Sequence, residues 1–144
     1  MMNKYLAISK ISNIKSEVSD YIERELRKRG IEGLVVSHGN ILDILYENNG
    51  KLTMKEIGEG IHRSKSTVTQ LVDRLLKAGY VTKESDSVDR RYTYILLTEK
   101  GLSIKKDFKE ISQNVINEFF KDFKDDEIEI LISLLDRVIY NFTR

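Results

Sequence analysis

With 144 residues, 40% of them hydrophobic and 33% charged, the chain is long enough for one well-packed domain and too short for two ordinary ones. It has no cysteine, which excludes disulfides, thiolate nucleophiles, thiolate metal ligands and a cysteine-oxidation switch, and fits a reducing, cytoplasmic setting. The net charge of +1 is neutral on a polyanionic partner, yet residues 51–91 hold nine Lys/Arg against six acids while residues 92–144 hold eight against ten, so positive charge gathers mid-chain. No run of about 18 apolar residues occurs, and Met1 to Ile11 lacks the basic flank, apolar core and small-residue cleavage site of a signal peptide. A chain that neither spans a membrane nor is exported is expected.

Proline is absent, so helices can run long. Ile11, Ile14, Val18, Ile22 and Leu26 recur at three- and four-residue steps, and the basic turn Arg27, Lys28, Arg29 precedes Gly30; this spacing predicts an amphipathic helix with its stop signal. A shorter helix starts at Ser37 and carries Ile41, Ile44 and Leu45. Thr53-Met54-Lys55-Glu56 has the spacing of a capping box and predicts a helix start at Thr53. After a break at His62 and Arg63, Ser64 caps a helix whose Val68, Leu71, Val72 and Leu75 form one apolar stripe, ending at Gly79. This pair reads as a helix-turn-helix.

Tyr80 to Ser85 and Arg91 to Leu97 are rich in β-branched and aromatic residues around the polar tip Asp86 to Arg90, which predicts a β-hairpin, or wing. Thr98 caps the next segment. Two more long amphipathic helices carry Ile104, Phe108, Ile111, Val115 and Phe119, then Ile128, Leu131, Leu135, Val138 and Phe142.

On the helix that begins at Ser64, successive residues advance by about 100°. Ser66, Gln70, Asp73 and Lys77 therefore lie opposite Val68, with Thr67, Thr69 and Arg74 flanking. An element entering a major groove needs short side chains at its N-terminal end and longer donors further along to read base edges. Ser64, Lys65, Ser66, Thr67 and Gln70 supply both. A polar face opposite an apolar stripe is what any surface helix shows; the distinguishing feature is the order of capped helix, short turn, Ser/Thr-rich helix, glycine stop, strand, basic tip and strand.

The run Ser64-Lys65-Ser66-Thr67-Val68-Thr69-Gln70-Leu71-Val72-Asp73-Arg74-Leu75, followed by Ala78-Gly79-Tyr80-Val81, Asp89-Arg90-Arg91 and Leu97-Thr98-Glu99-Lys100-Gly101, closely resembles the multiple-antibiotic-resistance regulator (MarR) family. The likeness is strong over residues 37–101; the flanking helices match in length and placement. It implies a mainly α winged helix-turn-helix protein of about six helices and a two- or three-stranded wing. Residues 37–101 would form the DNA-binding lobe, and residues 1–30 and 102–144 the helices that pair two copies. It also implies a recognition helix at Ser64 to Ala78 and DNA contacts from Ser64, Lys65, Ser66, Thr67, Thr69, Gln70, Arg74, Asp89, Arg90 and Arg91. Arg91 would approach the minor groove, where a guanidinium gains from concentrated negative potential, and Asp89 would hold the wing, with Arg74 as another partner for its carboxylate.

The same resemblance implies a repressor of a pseudo-palindromic operator. It admits a small aromatic or phenolic effector in a crevice lined by Tyr5, Tyr21, Tyr46 and Phe108, although aromatics at helical spacing are more often core. The chain departs from the family where His62 and Arg63 replace a turn glycine and an apolar residue, while Gly58 and Gly60 sit inside the preceding helix. His38 and His62, the only histidines, lie 24 positions apart without metal-ligand spacing, and neither a resident cofactor nor enzymatic activity is expected. A winged-helix module docking protein partners, and a hydrolase acting in the interhelical crevice, are the alternative readings.

Overall fold

The computed structural model describes all 144 residues, as seven helical segments and three short strands. In chain order these are α1 (Tyr5–Lys28), α2 (Val36–Glu47), β1 (Lys51–Thr53), α3 (Met54–Ile61), α4 (Lys65–Lys77), β2 (Val81–Ser85), β3 (Thr93–Leu97), α5 (Glu99–Ser103), α6 (Lys105–Phe119) and α7 (Asp125–Thr143). Two compact units emerge, Met1–Ser112 and Gln113–Arg144. No helix is long and apolar enough to cross a membrane.

The start signals act locally as the residues suggest. Thr53 Oγ1 accepts the Glu56 backbone N–H at 3.1 Å while the Glu56 carboxylate accepts that of Thr53 at 3.0 Å, closing the capping box of α3. Ser64 Oγ accepts from the Thr67 N–H, and Thr98 Oγ1 from that of Gly101. The second helix begins at Val36, one residue earlier than its serine suggests. Its first turn is held by buried His38, whose Nδ1 accepts the Val35 N–H at 2.9 Å.

In the first unit, Ile41, Leu42 and Leu45 of α2, Ile57 of α3, and Val68, Val72 and Leu75 of α4 are almost wholly buried, each worth about 1.5–3 kcal/mol of transfer free energy. Gly60 permits the close approach of α3 to α2, since a methyl there would meet Ile44 Cδ1 at 3.1 Å. The sheet order is β1-β3-β2, all antiparallel, with Leu52 opposite Ile95 and Lys83 opposite Ile95 across the other edge. Strand β1 thus adds a third strand to the hairpin and fixes its base beside the start of α3.

The segment after the wing locks the end of α4. The Thr98 hydroxyl donates to the Gly79 carbonyl at 2.6 Å, and Lys100 Nζ donates to that of Ala78 at 2.6 Å while lying 4.5 Å from the Tyr80 ring centroid. Gly101 packs so tightly on the Tyr80 carbonyl that no side chain fits there, and its own carbonyl accepts the Tyr46 hydroxyl at 2.6 Å. These bonds satisfy the orphan carbonyls of a helix end. Near the end of α1, Arg29 binds Asp107 at 3.1 Å and Glu110 at 2.6 Å, both on α6.

The second unit comprises the end of α6, a connecting turn and α7. No residue of α7 is buried. Ile128, Leu131 and Leu135 are half-buried, whereas Ile130 and Ile139 are 56% and 59% exposed.

Candidate nucleic-acid interface

Helix α3 ends at His62, which adopts the left-handed conformation at φ 55° and ψ 47°. A single left-handed residue reverses the chain direction; histidine does so at a modest steric cost that glycine would avoid. The following Arg63 is exposed and its N–H donates to the Gly58 carbonyl at 3.2 Å. The departure at His62 and Arg63 therefore preserves the turn and adds an outward guanidinium at the entrance to α4.

On α4, Val68, Val72 and Leu75 face inward and Lys65, Ser66, Thr69, Gln70, Asp73 and Arg74 are exposed, with Thr67 half-buried. Four hydroxyls serve the helix start. Ser64 Oγ donates to Thr67 Oγ1 at 3.0 Å and lies 3.3 Å from Ser66 Oγ, while Thr69 Oγ1 donates to the Lys65 carbonyl at 2.9 Å. Their bonds run to one another and to helix backbone, which is a capping arrangement and not an activated nucleophile. Lys65 and Gln70 have no such internal partner, and so keep their donors for an external acceptor.

The wing tip is built by two aspartates. Asp86 Oδ1 accepts the N–H groups of Val88 at 2.8 Å and Asp89 at 3.0 Å, and Oδ2 accepts the Tyr94 hydroxyl at 3.4 Å. The backbone donors of Asp89 and Val88, with a smaller contribution from Tyr94, hold its carboxyl below the usual range. Asp89 grips Arg91 through that residue's N–H at 3.1 Å, its Nε at 2.9 Å and its Nη2 at 2.6 Å. These bonds, the guanidinium's first, likewise lower the Asp89 carboxyl. The Arg91 side chain nevertheless stays 85% exposed. It is oriented by the carboxylate without being covered by it. Arg90 is exposed beside it.

One expected pair does not form. Arg74 is not a partner of Asp89: its Nε donates to the Gly33 carbonyl at 3.2 Å, across 41 positions, because α4 packs beside the loop joining α1 to α2. Asp89 is already taken by its neighbour two residues on. Asp86 was not among the expected site residues, although Asp-Ser-Val-Asp at a hairpin tip is a recognisable Asx-turn signal. Of the aromatic quartet, Tyr46 and Phe108 meet with ring centroids 6.5 Å apart, Tyr21 is half-buried, and Tyr5 is 79% exposed.

Residues 32–91 match the family described as the MarR family. A curated relative, the HTH-type transcriptional regulator SarZ of Staphylococcus haemolyticus, is 37% identical over 95 residues, 66% of this chain and 63% of its own length. Residues 32–91 carry a MarR-family sequence. The match spans a little under two thirds of that relative's length. Among solved MarR structures, a mutant MarR from E. coli complexed with operator DNA superposes with a TM-score of 0.78 at 19% identity, covering 95% of this chain and 99% of that one. The organohalide-sensing regulator RdhR in its 2,4-dichlorophenol bound form gives a TM-score of 0.85 at 22% identity, covering 98% and 82%. At these identities the likeness is one of fold, and it confirms the mainly α winged helix-turn-helix architecture.

Proposed function

We propose that this chain is a MarR-family, sequence-specific DNA-binding transcriptional regulator that works as a homodimer in the cytoplasm and represses by occluding a promoter. The observation that carries the reading is the exposed face running from Arg63 through Lys65, Ser66 and Gln70. Beside it stand Lys55, Arg90 and the pre-oriented Arg91. None of Lys55, Arg63, Lys65 and Arg90 has a carboxylate within ion-pair distance among the pairs formed. Such cations suit phosphate contacts that release counterions, while Ser66 and Gln70 suit base edges. Arg74, tied to Gly33, holds α4 in place. In this reading residues 37–101 form the DNA-binding lobe.

The dimer is supported by apolar surface left without a partner in a single copy. On α1, Leu6, Ile8, Ile11 and Ile14 are exposed; on α7, Ile130, Ile132, Leu134, Val138, Ile139 and Phe142 are. Several exposed apolar side chains on each of these helices suit burial against a second copy, and in this reading residues 1–30 and 102–144 serve pairing. Two recognition helices related by a two-fold axis then address half-sites about one helical turn, roughly 34 Å, apart. A small aromatic effector that releases the DNA completes the proposal, with the Tyr46–Phe108 pair as its nearest aromatic wall.

The test is a titration of selected duplexes at low ionic strength, with mass measured by light scattering. The reading expects a dimer that shifts one sequence family, and Arg91→Ala weakening it strongly. Polar substitution of Leu131 or Leu135 lowers affinity by breaking the dimer. A protein that shifts no duplex, or dimerises normally with either leucine replaced, defeats it.

A further inference from the structure

The wing carries a bare apolar group at its tip. Val88 is 94% exposed, more than any other apolar side chain except that of Met1, yet its backbone is tied down. Asp86 Oδ1 accepts the Val88 and Asp89 N–H groups at 2.8 and 3.0 Å. The Asp86 N–H donates to the Tyr92 carbonyl at 3.0 Å, and the Tyr92 N–H to that of Asp89 at 3.1 Å. These bonds close the turn at its neck, so Val88 is presented in one place. Both tip carboxylates are engaged within the turn, that of Asp86 by backbone donors and that of Asp89 by Arg91. The exposed side chains of the tip are therefore Ser87, the cations Arg90 and Arg91, and the methyls of Val88.

A lone exposed valine carries no message on an ordinary surface; its place here does. The wing springs from the C-terminal end of α4, and Arg91 and Tyr92 line the same cleft as Lys65 at the other end of that helix, so the hairpin stands alongside α4. With α4 in a major groove, the hairpin tip meets the next groove along the duplex, which is minor. That groove is about 6 Å wide and shows only acceptors at A·T pairs, whereas each G·C pair adds the 2-amino donor of guanine. Valine offers that donor no acceptor, and covering it removes its water without a replacement bond. Against an A·T floor the same methyls cover no donor, and the stiff χ1 of valine leaves little freedom to lose on seating. We infer that Val88 is a specificity-determining residue, selecting against guanine's 2-amino group at the base pairs beneath the wing tip. Arg91 supplies affinity there and Val88 the discrimination. The inference rests on the DNA-binding reading and deepens it.

The experiment is fluorescence anisotropy of the intact protein on three duplexes that differ only at the pairs whose minor-groove footprint is lost in Arg91→Ala. These pairs are A·T, G·C, or inosine·C, which presents the major-groove edge of G·C and lacks the 2-amino group. The wild type is expected to bind the A·T and inosine·C duplexes alike and the G·C duplex about tenfold more weakly, within the range of one mismatched pair. Val88→Ser keeps the backbone N–H and places an acceptor at the tip, and should bring all three within about twofold. Val88→Ile, apolar and equally β-branched, should keep the tenfold difference. Both replace an exposed side chain and remove no core, which an unchanged urea midpoint checks. A G·C penalty that survives in Val88→Ser, vanishes equally in Val88→Ile or is not relieved by inosine overturns the inference and leaves DNA binding standing, as does a footprint that Arg91→Ala leaves unchanged. If no duplex binds at all, the DNA-binding reading falls and takes this inference with it.

Discussion

Replacing Arg63 by alanine isolates one cation of the proposed DNA-facing surface and makes a quantitative demand. The side chain is exposed, follows the left-handed His62 and forms no hydrogen bond within the chain; only the Arg63 backbone N–H is engaged, donating to the Gly58 carbonyl, so loss of the guanidinium leaves the fold intact. If Lys55, Arg63, Lys65 and Arg90 each neutralise one phosphate per protomer, a dimer neutralises about eight, and the logarithm of affinity falls with that of salt at a slope of about −7. A fourfold rise in salt then weakens binding by about 10⁴-fold. Arg63→Ala removes one contact per protomer and flattens the slope by about 1.8. The variant is weaker at low salt, and its deficit shrinks by roughly twelvefold across the same fourfold rise. Fluorescence anisotropy of a labelled duplex over a salt series measures both slopes. Parallel lines for the two proteins would show that Arg63 touches no phosphate, and the assignment of this face would be wrong.

Three further outcomes rest on local geometry. Ser64→Ala removes the acceptor of the Thr67 N–H and is expected to cost about 1 kcal/mol in urea unfolding; a change near zero would show that the cap is idle. His62→Gly relieves the left-handed histidine and should raise stability by roughly 0.5–1 kcal/mol. His38 is buried and its protonation is opposed first by desolvation and then by Arg74, which lowers its pKa. The unfolded chain therefore binds the proton more readily, and stability present above about pH 6.5 declines as the pH falls toward the depressed folded value. His38→Gln, which keeps an acceptor for Val35 and does not titrate, should abolish that part of the pH dependence. Identical pH profiles for the two proteins would refute it.

Much of this architecture can be read from local chemistry, because its helix starts and stops are local events. Thr53 with Glu56, Ser64, Thr98 and Gly79 each act within three or four residues, and the stripe of Val68, Val72 and Leu75 announces the buried side of α4. The parts that escape are non-local or short. Strand β1 has three residues, too few for an alternating pattern, and exists because Lys51 to Thr53 pair with β3 some forty positions on. Arg74 finds its acceptor 41 residues away, which no spacing along α4 reveals. His38 replaces the usual serine or threonine cap from three residues inside the helix. The division between α5 and α6 at Ile104 likewise leaves no mark in the apolar repeat, whose positions run through it. Within the wing, the basic tip is conspicuous, whereas the quieter Asp86 organises it.

The most direct measurement is a hydroxyl-radical footprint of the protein on a duplex chosen by selection from a random pool. Two protected major-groove patches on one face of the DNA, centred about 10 base pairs apart, are expected, with minor-groove protection beside each lost in Arg91→Ala. A single patch, or protection unaltered by changes at Gln70, Arg63 and Arg91, would contradict a two-fold assembly reading DNA through α4 and its wing.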